Sequence, residues 1–253
     1  VPTIATRHGA LHYLIAGHGM PLVLIHGNTY SATTQVRLAQ RFADEFTVYS
    51  FDLLGHGGSA RPPDLFTTRY FAIQGEAVAD ALAGLFHAPV PVFGMSAGGI
   101  SALNAVCLRP DLIAALILDG VFARVTAATY QAHRNATASM SPSWHRYMAG
   151  QHGADWWPIL NAGVESVIEQ LAAQEALVTP CLDQIKVPTI IFHGGKDPFV
   201  PDEQARAVAV GIRGARIVYE PEAGHLIAWR NPDAFRARVG RFLAEHGLLA
   251  PKA

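Results

Sequence analysis

Ser96, Asp197 and His225 are the residues in this chain whose types and surroundings could do chemistry together. Ser96 is the centre of Gly94-Met95-Ser96-Ala97-Gly98, between an apolar run and a helical pattern. A serine on a sharp strand-to-helix turn is exposed and strained, and its flanking glycines let backbone and substrate come close. A serine hydroxyl is a weak nucleophile at neutral pH. It needs a base, a group that orients the base, and donors for a developing oxyanion. The candidate base is His225 in Glu222-Ala223-Gly224-His225, with Gly224 read as the turn that aims the imidazole back across the sheet. Asp197, in Gly194-Gly195-Lys196-Asp197-Pro198, is the candidate orienting acid. Asp119, at the end of a strand pattern, is its rival; Asp202 is a weaker one and reads as a helix N-cap. The oxyanion donors are expected from the backbone of Ala97 and Asn28, whose side chain could also face the site. His26 and His56, each beside glycine, read as braces of their loops. With His225 as base, activity should rise from acid toward neutral pH.

These residues require a scaffold that brings four loops to one rim. Thr3–Thr6 and Leu11–Ala16 read as a hairpin. Strand patterns follow at Leu22–Ile25, Phe46–Phe51, Val90–Phe93, Ala114–Leu118, Val187–Phe192 and Arg216–Tyr219. Helical patterns lie between and after them, at Gln35–Phe42, at 70–87, from Ala97 to Leu108, at Ala205/Val208/Ala209/Ile212 and at Phe235/Val239/Phe242/Leu243. Alternating strands and helices predict an α/β fold: a mostly parallel, twisted sheet of about eight strands covered on both faces. Residues 1–120 and 181–253 read as its core. Between them, 121–180 has no strand pattern and reads as a helical cap, set at the sheet edge and roofing the crevice beyond the strand ends.

Composition narrows the partners. The chain has 253 residues, half of them hydrophobic, with 19 basic and 20 acidic residues and a net charge of −1. No basic stripe points to nucleic acid or an anionic membrane, and no apolar run reaches the length of a membrane span. Val1–Gly9 lacks the apolar stretch of a signal peptide. Cys107 and Cys181 have no metal spacing and read as reduced thiols of a cytoplasmic protein, with a single disulfide as the alternative. The 12 histidines show no His-Glu-x-x-His pair, so no metal or other cofactor is expected. Monomer and dimer fit equally.

The set His26-Gly27-Asn28, Asp52-Leu53-Leu54-Gly55-His56-Gly57-Gly58-Ser59, Gly94-x-Ser96-x-Gly98, Gly194-Gly195-Lys196-Asp197 and Gly224-His225 resembles, in order, an α/β-hydrolase of the small serine esterase and lactonase type. The resemblance implies an ester or lactone hydrolase working through an acyl-enzyme, with Ser96, His225 and Asp197 as its triad. Serine rather than aspartate or cysteine at position 96 separates the chain from dehalogenases, epoxide hydrolases and dienelactone hydrolases of this fold. The loop Asn28-Thr29-Tyr30 lacks the glycines usual in carbon–carbon bond hydrolases. A cofactor-free haloperoxidase or perhydrolase, a carbon–carbon hydrolase and a slow, receptor-like binding relative stay open as alternatives. Large side chains in and near the cap suggest a small, apolar or aromatic substrate, and the expected pocket residues are Thr29, Met95, Trp144, Tyr147, Trp156, Trp157 and Leu226. An anionic substrate would need one of Arg124, Arg134 and Arg146 in the pocket.

Overall fold

A computed structural model describes residues 2–249, so Val1 and residues 250–253 lie outside it. Eight strands form one sheet: β1 (Thr3–Ile4), β2 (Leu11–Gly17), β3 (Met20–Ile25), β4 (Phe46–Phe51), β5 (Val90–Met95), β6 (Ile113–Asp119), β7 (Thr189–Gly194) and β8 (Arg216–Glu220). Their spatial order is β1-β2-β4-β3-β5-β6-β7-β8. Both pairings of β2 are antiparallel and all later ones are parallel; Val23 on β3, for example, lies opposite Tyr49 on β4 and Val92 on β5. The expected alternation therefore gives the expected sheet. The order runs away from β3 in both directions, which opens a crevice at the carboxyl ends of β3 and β5.

Every residue of β5 and nearly every one of β6 is buried, because helices cover both faces. Side chains alternate between two apolar layers. Leu116 and Leu118 join the layer holding α2 (Tyr70–Leu85) and α3 (Ala97–Leu108), whereas Ala115 and Ile117 join the layer holding α1 (Val36–Gln40) and α9 (Pro232–Glu245). That period of two in an otherwise continuous apolar run marks a strand buried on both sides. The helix α3 stops at Arg109, before Pro110, which cannot continue it.

Three helices fill the segment between β6 and β7: α4 (Ala127–Ala138), α5 (Pro142–His152) and α6 (Trp156–Ala173). Ser141 and Thr126 cap two of them by accepting from the amides of Trp144 and Thr129. The expected position at the sheet edge needs correction. The strands β6 and β7 pair directly, Leu116 opposite Thr189, so the segment leaves and re-enters the interior of the sheet. After β7 come α7 (Asp202–Gly211), β8 and the short α8 (Ile227–Arg230). Among the described residues no helix is long and apolar enough to cross a membrane.

The cysteine reading is also corrected. Cys107, at the end of α3, and Cys181, just before β7, are joined in a disulfide with their Cα atoms 5.9 Å apart. Their sequence separation of 74 hides the contact, which follows from β5, β6 and β7 being neighbours. The bond closes a loop that contains α4, α5 and α6. Closing a loop of that length restricts the unfolded chain, so reduction is expected to lower stability by about 2–4 kcal/mol. Urea melts with and without reductant measure this, and coincident midpoints would contradict it.

Candidate active site

The chain enters the elbow through Gly94 and Met95 and leaves it into α3, so Ser96 must reverse direction in one residue. It does so at φ 50° and ψ −121°, in the half of the map that side chains disfavour. Its amide donates to the Asp119 carbonyl at 2.8 Å, which ties the turn to β6. At Gly98 a Cβ would lie 2.4 Å from the carbonyl oxygens of Ile25 and His26, so only glycine lets α3 start this close to β3.

Beyond β7 the Asp197 carboxylate is almost fully buried and satisfied. Oδ1 accepts from the amides of Phe199 (2.8 Å) and Val200 (3.0 Å), and Oδ2 lies 2.6 Å from His225 Nδ1. A carboxylate fixed in this way orients a ring and selects its tautomer. The imidazole has room because Gly120 lies beside it: a Cβ there would come within 2.7 Å of His225 Cε1. The turn expected at Gly224 falls elsewhere, since the positive φ is at Leu226 (62°). The reason lies in Asp119, whose carboxylate accepts from the amides of Ile227 (3.2 Å) and Ala228 (2.9 Å). Asp119 thus braces the backbone after His225 rather than bonding the ring, and burial pushes its carboxyl up to about 7. Asp202 is not an N-cap: Pro201 holds that position, and the Asp202 carboxylate bonds Tyr219 Oη (2.7 Å) and His193 Nε2 (2.9 Å).

Ser96 and His225 line one cavity, and the structure brings Ser96 to the same space as the His225–Asp197 pair rather than into a bond with it. Asn28 and Ala97 line that cavity too. Ala97 is the first residue of α3, so its N–H has no partner within the helix. The Asn28 side chain is held from behind, with Oδ1 accepting from the Tyr70 hydroxyl at 2.8 Å.

Three histidines brace this loop. His26 donates from Nδ1 to the Gly27 carbonyl and accepts the Leu53 amide at Nε2. Next to Asn28, Thr29 has φ 67°, and both ends of its backbone are held by rings. Its amide donates to His56 Nε2 (3.2 Å), and its carbonyl accepts from His152 Nε2 (2.8 Å). His152 stands at the end of α5 and accepts the Gly57 amide at Nδ1 (2.9 Å), so one side chain of the three-helix segment clips two core loops. Each ring uses one nitrogen as acceptor and must be neutral. Burial lowers the pKa of His26 to about 4, that of His56 well below its ordinary value, and that of His152 as well.

This has a consequence for acid stability. A histidine kept neutral in the fold binds its proton more tightly once unfolded, so stability falls as pH drops below about 6.5. Each of His26 and His133 (also lowered to about 4 by burial) costs ~2 kcal/mol between pH 7 and 5, and His56 and His152, lowered in the same direction, add to the loss. Asp119 works the other way: its raised carboxyl takes up a proton in the fold and returns ~2 kcal/mol. The net expectation is a loss of about 2–4 kcal/mol, read as a lower urea midpoint at pH 5 than at pH 7. An unchanged or higher midpoint would refute it.

Of the expected pocket residues, Thr29 and Leu226 line the cavity. The other five do not. Met95 is fully buried in the apolar layer of α9. Trp144 lies outside the cavity against Tyr30, and Tyr147 is half exposed. Trp156 donates to the Gly55 carbonyl, and Trp157 stacks on His152. Trp144 and Trp156 therefore fasten the three-helix segment to loops of the core, and Trp157 packs within the segment, instead of facing the cavity. The wall that sequence reasoning missed comes from Phe122, Phe199, Thr129, His133 and Thr137 of α4, Met140, and Asn161, Val164, Glu165 and Ile168 of α6. The signal was there in the spacing: 129, 133 and 137 lie on one helical face, and 161, 164, 165 and 168 on another.

A serine on a strand–helix elbow, with a histidine–carboxylate pair on the same rim of a parallel sheet, defines a hydrolase architecture. The chain belongs to the alpha/beta hydrolase family, whose model matches residues 22–238. Among curated relatives it is 29% identical to serine hydrolase BPHL of Mus musculus over 252 residues, covering 95% of this chain and 85% of that one. It is 27% identical to the pimeloyl-[acyl-carrier protein] methyl ester esterase of Neisseria meningitidis serogroup C over 250 residues, covering 87% and 92%. Among solved structures, the enol-lactonase of Burkholderia xenovorans superposes with a TM-score of 0.72 at 23% identity, over 96% of this chain and 100% of that one.

Proposed function

We propose that this chain is a serine hydrolase that cleaves carboxylic esters or lactones of small substrates through an acyl-enzyme. The observation that carries the reading is the His225–Asp197 pair, opening on the same cavity as Ser96. In this mechanism Ser96 Oγ attacks the carbonyl carbon while His225 Nε2 takes its proton. The amides of Asn28 and Ala97 hold the oxyanion. His225 then gives the proton to the leaving alcohol, and water repeats the cycle on the acyl-enzyme. Asp197 keeps the ring in the tautomer with Nδ1 protonated and stabilises the imidazolium. No step calls for a cofactor.

The relatives, a serine hydrolase and a methyl ester esterase, support ester chemistry. In this reading 121–180 acts as a cap over a core of 1–120 and 181–253. Phe122, Met140, Val164, Ile168, Phe199 and Leu226 supply the apolar lining for the body of the substrate. The Cys107–Cys181 disulfide weighs against the cytoplasmic expectation, because such bonds persist in oxidising compartments. A fluorophosphonate probe tests the nucleophile. One adduct per chain, mapped by mass spectrometry to the peptide containing Ser96, is expected; an adduct on another residue, or none, would overturn the assignment.

A further inference from the structure

The cavity is not apolar throughout. Besides Ser96, its lining includes Thr129, His133 and Thr137 on α4 and Asn161 and Glu165 on α6. The three α4 residues recur every fourth position and so form one polar stripe. Two of these side chains have uncommitted hydrogen-bonding capacity: among the described residues, the His133 ring and the Asn161 amide make no hydrogen bond to protein. His133 is neutral, its pKa lowered to about 4 by burial and by the nearby His225, so the ring offers one donor and one acceptor. Polar groups turned into a ligand cavity without protein partners need partners from the ligand or from water.

The charge of the lining is one-sided. Glu165 is its single carboxylate, and neither lysine nor arginine lines the cavity. Arg134 approaches Glu165 only at 3.9 Å, from the exposed side, and Arg124 donates to the Glu175 carbonyl. A carboxylate-bearing substrate would therefore meet the Glu165 charge within the cavity, while the Arg134 guanidinium, though 3.9 Å from Glu165, is not part of the lining.

We propose that the juxtaposition of His133, Asn161 and Glu165 under the cap forms a polar subsite selecting esters whose far end carries a hydrogen-bond donor, hydroxyl or ammonium, and rejecting those ending in a carboxylate. His133 and Asn161 are its specificity-determining residues for the hydroxyl, and Glu165 for the ammonium. This rests on the serine esterase reading above. It replaces the purely apolar or aromatic substrate expected from the tryptophans.

Two matched sets of substrates test it. One comprises methyl heptanoate, methyl 6-hydroxyhexanoate, methyl 6-aminohexanoate and monomethyl adipate. The other presents corresponding methyl, hydroxyl, ammonium and carboxylate ends on the alcohol side of acetate esters. In at least one set, kcat/KM for the hydroxyl and ammonium members should exceed that for the carboxylate member by about tenfold or more. Asn161→Leu should cut the advantage of the hydroxyl ester over the methyl-ended one by about tenfold, through KM and kcat together. Glu165→Gln, at a half-exposed position, should lower the ammonium-to-hydroxyl ratio by about threefold or more. Ratios unchanged in both variants, or a carboxylate member preferred in both sets, would overturn the subsite. Turnover of 4-nitrophenyl acetate that disappears in Ser96→Ala upholds the esterase reading separately, so a flat panel then defeats the subsite alone. No turnover of 4-nitrophenyl acetate would defeat both.

Discussion

Ser96→Ala is expected to lower kcat/KM for 4-nitrophenyl acetate by about 10⁴-fold or more, the scale of loss when a serine nucleophile is removed from a working triad. Stability should hardly change. The hydroxyl anchors nothing in the fold; the turn is held by the Ser96 amide on the Asp119 carbonyl and by the Ile100 amide on the Ser96 carbonyl. Alanine keeps the Cβ, so it also keeps the unfavourable φ of 50°. Ser96→Gly supplies the contrast. It removes the same hydroxyl and also relieves the strained conformation, which costs a residue with a Cβ on the order of 1–3 kcal/mol. The greater freedom of glycine in the unfolded chain offsets part of that gain. Both variants should be inactive, with the glycine variant at least as stable as the alanine one in urea. A Ser96→Ala protein that still turns over the ester at a tenth of the normal rate would show that the nucleophile is elsewhere. A glycine variant clearly less stable than the alanine one would show that the elbow stores no strain.

The elbow was legible because its demands are local. A one-residue reversal against a neighbouring strand needs small flanking residues, and Gly98 touches Ile25 and His26 as such a turn requires. The sheet was legible for a related reason: a strand covered on both faces must be almost wholly apolar, as β5 is and as β6 is up to its last residue, Asp119. Where the tryptophans would go was not legible. Whether an indole lines a cavity or fastens two segments depends on which backbone carbonyl lies within reach. For Trp156 that is Gly55, some 100 residues away. The left-handed turn at Leu226 was not legible for the same reason, and the Cys107–Cys181 bond was legible only as the alternative to free thiols. Neither residue type advertises its conformation, and both are set by strands adjacent only in space. The polar faces of α4 and α6 carry a periodic signal, but spacing alone does not say which helix face meets a cavity.

Asp197→Asn should lower kcat by about 10³–10⁴-fold while leaving the fold near its normal stability. The asparagine Oδ1 can still accept from Phe199 and Val200, so the loop keeps its two anchors. What it loses is the acceptor facing His225 Nδ1. An amide NH₂ in that place would favour the opposite tautomer, with Nε2 protonated and unable to take the serine proton. Asp119→Asn should behave in the reverse manner. Both Asp119 oxygens accept backbone amides in a fully buried site, and replacing one oxygen with NH₂ sets donor against donor. That variant should lose about 1–3 kcal/mol of stability and less than about tenfold in kcat, since Asp119 makes no hydrogen bond to the His225 ring and acts on it through the backbone of Ile227 and Ala228 and through charge at a distance. Measuring kcat and the urea midpoint for both variants separates a carboxylate that orients the base from one that holds the chain behind it. If Asp119→Asn were the variant to lose the activity while Asp197→Asn kept it, the orienting role would pass to β6 and the mechanism above would need a different acid.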